Sequence, residues 1–230
     1  MTLLRLFSLA FVAFQSTIHA QQIEIYTESL PPFQIVKASE VSGQATSKVK
    51  QLLDSLDLRY NIQVVPWARA YNIVKSTPNT LIYSMNRSPE REDAFHWITV
   101  VAEIGNSFIS LRSNPFEIRQ LEDAKNYVVA VVRDGYAYDF LLENGFIVDK
   151  NMYVVATLEQ QMSLLINKKV DFLFTDIQSV KHKLELQQLD PEMVVQKYTQ
   201  PAWTRDLYLA ANIDTNPQLL QQLSAAYVHK

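Results

Sequence analysis

Two kinds of periodicity alternate along this chain, twice over, and their order limits the fold more than any other feature. Ile23 to Tyr26 reads as a strand, broken by Leu30-Pro31-Pro32-Phe33. After Gly43, Val49, Leu52, Leu53 and Leu56 recur at i, i+3, i+4 and i+7, which places them on one apolar face of a helix. Tyr60 to Val65 alternates as a strand, and Pro66 opens a helix from Trp67 to about Lys75, because proline is tolerated in a helix's first turn. Thr80 to Ser84 makes a third strand. A β-α-β-α-β order calls for parallel strands joined by right-handed crossovers.

The same logic repeats downstream. Asn106 to Leu111 and Tyr127 to Val132 are strand-like, Asp134-Gly135 is a turn that needs its glycine, and Tyr136 to Asn144 is a short helix ended by Gly145. Met152 to Val155 is a strand, and Thr157 with Gln160 forms a capping box for a helix with Leu158, Met162 and Leu165 on one face. Val170 to Thr175, Met193 to Gln196 and Leu207 to Ala211 read as further strands. Asp176 starts a helix running to about Leu186, and another starts near Asn216 with Pro217 in its first turn. Two α/β units in tandem are each too small for a deep pocket, so the space between them is where a ligand is expected.

Residues 1–20 bear on the compartment. Arg5 is their one charge, Leu6 to Phe14 form an apolar core, and Ala20 precedes a cleavage point before Gln21. This pattern predicts a cleaved secretory leader, too short for a membrane span, and a periplasmic mature chain. With no cysteine in the chain, stability has to come from core burial. Loss of Arg5 leaves the mature chain one unit more negative than the formal −3 of the whole, which makes nucleic acid a poor partner.

Asn86 to Trp97 follows the third strand and sets Arg91 in a turn at a strand end, where open α/β sheets bind ligands. An arginine there presents a rigid fork of donors suited to a carboxylate. The alternative is a solvated turn in which Arg91 pairs with Glu90, Glu92 or Asp93. Tyr26, Glu28, Leu30 and Trp67 fall at strand ends on the same side; Trp67 suits either wall or core, and a carboxylate at Glu28 would favour a ligand with an extra cation. Catalytic signatures are missing: there is no Gly-x-Ser-x-Gly elbow, phosphate-binding glycine loop or His-Glu-x-x-His, and the histidines are scattered. No catalytic residue, metal site or cofactor is expected.

Tyr26-Thr27-Glu28-Ser29-Leu30-Pro31-Pro32-Phe33, Pro66-Trp67-Ala68-Arg69-Ala70-Tyr71, Tyr83-Ser84-Met85-Asn86-Arg87-Ser88-Pro89-Glu90-Arg91-Glu92, and Val170-Asp171-Phe172-Leu173-Phe174-Thr175-Asp176 occur in that order. Together they resemble the family 3 solute-binding proteins of polar amino acid ABC transporters, over nearly all of the mature chain. Asn86-Arg87 departs from the small polar residues usual before the arginine, and four glycines are few for the family.

The resemblance implies a two-lobed, type II periplasmic-binding-protein fold, each lobe a sheet flanked by helices with a ligand cleft between them. Lobe 1 would comprise residues 21–111 and 200–230, lobe 2 residues 112–199, with crossing strands near Ser107–Leu111 and Tyr198–Gln200 as hinge. It implies a monomer that captures an amino acid or small carboxylate for an ABC permease. A sensing role toward a membrane receptor is a second implication. Dehydratases on the same fold are a third, with Glu28 or Asp176 as general acid or base. By position, Arg91 is the carboxylate clamp and Asp176 the α-amino partner. Ser84 and Asn86 meet the amino end, and Gly135 and Tyr136 supply amides to the carboxylate. The alternative for Asp176 is a helix N-cap alone, since Asp is among the best capping residues.

Overall fold

The computed structural model describes residues 22–38 and 40–228; the expected leader and its cleavage point lie outside the described residues. The first half runs β1 (Ile23–Thr27), a small hairpin of β2 (Ile35–Lys37) and β3 (Glu40–Ser42), α1 (Gln44–Ser55), β4 (Tyr60–Val64), α2 (Trp67–Ser76), β5 (Thr80–Met85) and the one-turn α3 (Pro89–Glu92). The long strand β6 (Phe95–Leu111) leads into the second half, β7 (Val129–Val132), α4 (Tyr136–Glu143), β8 (Met152–Val155), α5 (Leu158–Ile166), β9 (Phe172–Asp176) and α6 (Ile177–Leu186). A second long strand, β10 (Val194–Asn212), returns to the first half, and α7 (Pro217–Val228) follows.

One eight-stranded sheet results, in the order β4-β1-β5-β10-β6-β9-β7-β8. Its outer thirds, β4-β1-β5 and β9-β7-β8, are parallel, as the alternating order requires. Between them β6 and β10 run antiparallel, paired from Phe95–Asn212 to Leu111–Val194. β5 joins only the last part of β10, and β9 joins only the last part of β6, so the same two strands serve both halves.

Sequence pattern alone divides what is continuous here. Met193–Gln196 and Leu207–Ala211, expected as separate strands, fall at the two ends of β10, which starts one residue later at Val194, and Asn106–Leu111 is the end of a strand that starts at Phe95. Pro201 looks like a terminator because it cannot donate to a ladder. It sits where the β10 register slips between Thr199 and Thr204, a bulge in which no ladder bond is asked of it. Gly105 stays in the ladder opposite Thr204.

Helices cover both faces. α2 packs on β1, β5 and β10, while α1 and α7 pack on each other and on β6. In the second half α5 lies on β7 and β9, and α4 on β7. The α1 stripe holds as read, with Val49 and Leu53 fully buried, each contributing about 1.5–3 kcal/mol of hydrophobic stabilisation. Phe108, Phe146, Phe172, Phe174 and Trp203 form a separate aromatic core in the second half, and the β10 bulge delivers Trp203 to it. The capping box on α5 closes differently from expectation. Thr157 Oγ1 accepts from Gln160 N (3.3 Å), but the Gln160 carboxamide accepts from Ala156 N (2.9 Å). The left-handed residue of the Asp134-Gly135 turn is Asp134 (φ 56°), while Gly135 is extended and caps α4.

Gly43 is demanded both by its backbone angle and by its neighbours. At φ 108° it lets the start of α1 meet the Pro31-Pro32-Phe33 turn, where Gln44 N donates to Pro32 O and Ala45 N to Phe33 O (each 3.1 Å). Those bonds satisfy helix-terminal donors that have no side-chain cap. An added Cβ would lie 2.5 Å from the Phe33 oxygen. Gly43→Ala should therefore lower unfolding free energy by about 1–3 kcal/mol in urea titration. A change within about 0.5 kcal/mol would show that the turn relaxes without cost.

Candidate functional site

The two halves enclose a cavity of about 70 Å³. Glu28, Leu30, Trp67, Ser84 and Asn86 come from the first half, Ile104, Asn106 and Leu207 from the long strands, and Gly135, Tyr136, Gln161 and Thr175 from the second half. Six of the eight residues expected in a site thus surround one space: Glu28, Trp67, Ser84, Asn86, Gly135 and Tyr136. Arg91 and Asp176 are not among its lining residues, nor is Tyr26.

Local folding explains each placement. Glu28 follows the end of β1, and Trp67 is the first residue of α2 behind Pro66, where the helix begins on the cavity side. Trp67 proves to be both wall and core: it is buried with Ala70, Val74, Ile82 and Met85, yet its indole Nε1 donates to Asp134 O across the cleft (2.7 Å). Ser84 has φ 64°, a conformation that costs a non-glycine residue about 1–3 kcal/mol, and its hydroxyl accepts from Gln34 Nε2. Asn86 Nδ2 donates to Asp206 O (3.2 Å), which fixes the wall between β5 and β10. Gly135, Tyr136 and Ala137 begin α4 at the cavity, so the first amides of that helix face it.

Arg91 is 3 % exposed and engaged entirely by protein groups. Its guanidinium donates to Asp139 Oδ2 (2.9 Å) and Asp134 O (2.9 Å) in the second half and to Asn86 O (3.4 Å) in the first, above the Tyr71 ring. The acidic neighbours weighed as partners do not pair with it; Glu92 binds Arg87 instead. Burial is the first influence on Asp139 and raises its pKa, with Asp134, Glu90 and Glu143 adding to the rise and Arg91 opposing it. Asp176 caps α6, accepting from Ser179 N (2.7 Å) and Ser179 Oγ (3.0 Å). Burial raises its pKa too, against those bonds and one from Gly105 N.

Glu28 has no hydrogen bond or ion pair among the described residues. Desolvation first, and the charge of Glu159 second, push its pKa up to about 8. For Glu159 itself, burial would raise the pKa, but Lys183 outweighs it and holds the carboxylate below its ordinary value. Asn106, Gln161 and Thr175 were not singled out from sequence. Gln161 had a readable signal, since it is the polar residue within the Leu158, Met162, Leu165 stripe of α5 and is buried on that face.

No protein-family model matches the chain, and no curated protein matches it by sequence. Solved structures do match in fold. A histidine kinase sensor domain with similarity to periplasmic binding proteins superposes with a TM-score of 0.79 at 15% identity, over 92% of this chain and 90% of that one. The arginine-, lysine-, histidine-binding protein ArtJ from the thermophilic bacterium Geobacillus stearothermophilus gives 0.76 at 12%, over 91% and 89%. The ancestral amino acid-binding protein AncCDT-1, a precursor of cyclohexadienyl dehydratase, gives 0.73 at 15%, over 91% and 89%. At these identities the likeness establishes the fold: a two-lobed periplasmic-binding-protein architecture with its cavity between the halves. Among the described residues no helix is long and apolar enough to cross a membrane.

The raised Glu28 pKa has a signed consequence for stability. Between about pH 4.5 and about 8 the folded chain holds a proton that the unfolded chain releases. Stability therefore falls as pH rises through that window, by up to about 1.4 kcal/mol per pH unit, and levels off above it. Glu28→Gln should remove this slope, so that the variant's advantage over wild type grows from pH 5 to 8 in denaturant titrations. A constant difference across that range would mean that Glu28 ionises as an ordinary solvated carboxylate.

Proposed function

We propose that this chain is an extracytoplasmic solute-binding protein that captures a small polar solute, an amino acid or related compound, by closing its halves around it. The observation that carries this reading is the cavity itself: both halves contribute its polar walls, and the long pair β6 and β10 joins them. Such an arrangement makes occupancy and lobe closure one equilibrium, because a solute bonded to both walls favours the conformation that brings them together. The lobe limits we assign are residues 21–111 with 200–230, and 112–199. The reading includes export by the leader, action as a monomer, and delivery to an ABC permease.

Ligand sensing for a membrane receptor is the second reading, favoured by the similarity to a histidine kinase sensor domain. Turnover is not part of the proposal. Among the described residues Glu28 is the one carboxyl that lines the cavity, and Asp176, the other acid weighed for proton transfer, caps α6.

A thermal-shift screen of amino acids, amines and small organic acids tests the reading. A solute at one hundred times its Kd should stabilise the native state by about 2.7 kcal/mol. The same solute should reduce the radius of gyration in X-ray scattering and be recovered unchanged. Stabilisation without compaction would contradict closure, and conversion of the solute in proportion to protein, lost in Glu28→Gln, would make the chain an enzyme.

A further inference from the structure

Arg91 sits where a carboxylate clamp is expected, and a carboxylate is on it, but that carboxylate belongs to Asp139. The remaining described contacts of the guanidinium are the Asp134 and Asn86 carbonyls and the Tyr71 ring, and it does not reach the cavity wall. No lysine or arginine lines the cavity among the described residues. What lines it instead is rich in acceptors. Gln161 is 1 % exposed, its Nε2 is tied to Ala130 O (2.7 Å), and that bond leaves its Oε1 without a partner among the described residues. Glu28 stands on the facing wall, contributed by the first half, and is also unpaired among the described residues. A buried acceptor without a donor costs about 1–3 kcal/mol, so Gln161 gains from a ligand that brings N–H groups. The half-buried Glu28, which holds a proton below about pH 8, gains a counter-charge when it gives that proton up in favour of a cation. Trp67 and Phe174 offer aromatic surface around such a group, while the Tyr136 ring already carries the Arg205 guanidinium (5.3 Å).

We infer that the cavity selects an organic cation, an amine or guanidine, through Glu28 and Gln161, and that Asp139 makes it indifferent to whether that cation also carries a carboxylate. The N–H groups that open α4 donate equally to a carboxylate or a hydroxyl oxygen, whereas the Arg91 guanidinium that would discriminate between them is bonded through Nη2 to Asp139. Asp139 is thus a specificity-determining residue that never needs to touch the ligand. This inference rests on the binding-protein reading above and narrows its solute class.

Two pairs of compounds test it by calorimetric titration: arginine with agmatine, and lysine with cadaverine, each pair differing by the carboxylate, with alanine as neutral control. For the wild type, each amine should bind within about tenfold of its parent amino acid, and alanine should bind at least about tenfold more weakly than lysine. Glu28→Gln and Gln161→Leu should each weaken all four cations, by about tenfold or more for Glu28→Gln. Asp139→Ala, which frees the Arg91 fork, should turn the preference toward the amino acids by at least about tenfold, and Asp139→Asn by less. Parents that lead their amines by more than tenfold in the wild type, alanine matching lysine, or an unchanged preference in Asp139→Ala would each overturn the inference. Should none of the four bind while another solute in the thermal screen does, the cation class falls and the binding-protein reading stands. If no solute stabilises the protein, that reading falls as well.

Discussion

The pairing of β6 with β10 is the constraint on which the rest of the molecule depends. Two antiparallel strands that run the length of the sheet let a parallel α/β half be assembled on each end, with β5 against one end of β10 and β9 against the opposite end of β6. The carboxyl ends of both parallel sets then face the place where the halves meet, and there the segments after β1, β5 and β7 and the last residues of β9 converge on the cavity. The bulge at residues 200–203 tolerates Pro201 within this ladder and swings Trp203 into the second aromatic core, which ties the crossing strand to one half.

Across that frame the halves are held by polar groups as well as by chain. Trp67 and Arg91 from the first half both donate to the Asp134 carbonyl, and Arg91 also binds Asp139. Asp134 reaches this position through a left-handed backbone (φ 56°) immediately before α4, so the turn that starts the helix also presents the acceptor. A guanidinium this deeply buried has to be neutralised and fully hydrogen-bonded, since an unpaired one would carry a desolvation cost of several kcal/mol. Asp139 supplies the opposing charge, and the Asp134 and Asn86 carbonyls supply further acceptors.

Most of the architecture was legible because periodicity reports burial. The α1 stripe, the parallel strand sets and the Pro66–Trp67 helix start follow from residues that must face one way. The continuity of β6 and β10 was not legible, because Gly105 and Pro201 look like strand ends unless the partner strand is known. The site divides in the same manner. Glu28, Trp67, Ser84, Asn86, Gly135 and Tyr136 lie at strand ends and helix starts, positions that topology alone brings together. Asp139 and Gln161 lie within helices, and which group faces Arg91 or the cavity depends on how α4 and α5 are rotated against the sheet. The sequence of α4, Tyr136-Ala-Tyr-Asp139, gives no sign that its aspartate lies 2.9 Å from an arginine 48 residues upstream.

Arg91 is bonded to Asp139 across the two halves. A double-mutant cycle on unfolding free energy, with Arg91→Ala, Asp139→Ala and the double variant, tests it most directly. The two single losses should fail to add, with a coupling of at least about 1 kcal/mol, because either substitution removes the same bond. Losses that add to within about 0.3–0.5 kcal/mol would mean that the two side chains act independently, which contradicts a bond between them and leaves the Arg91 fork free for a ligand.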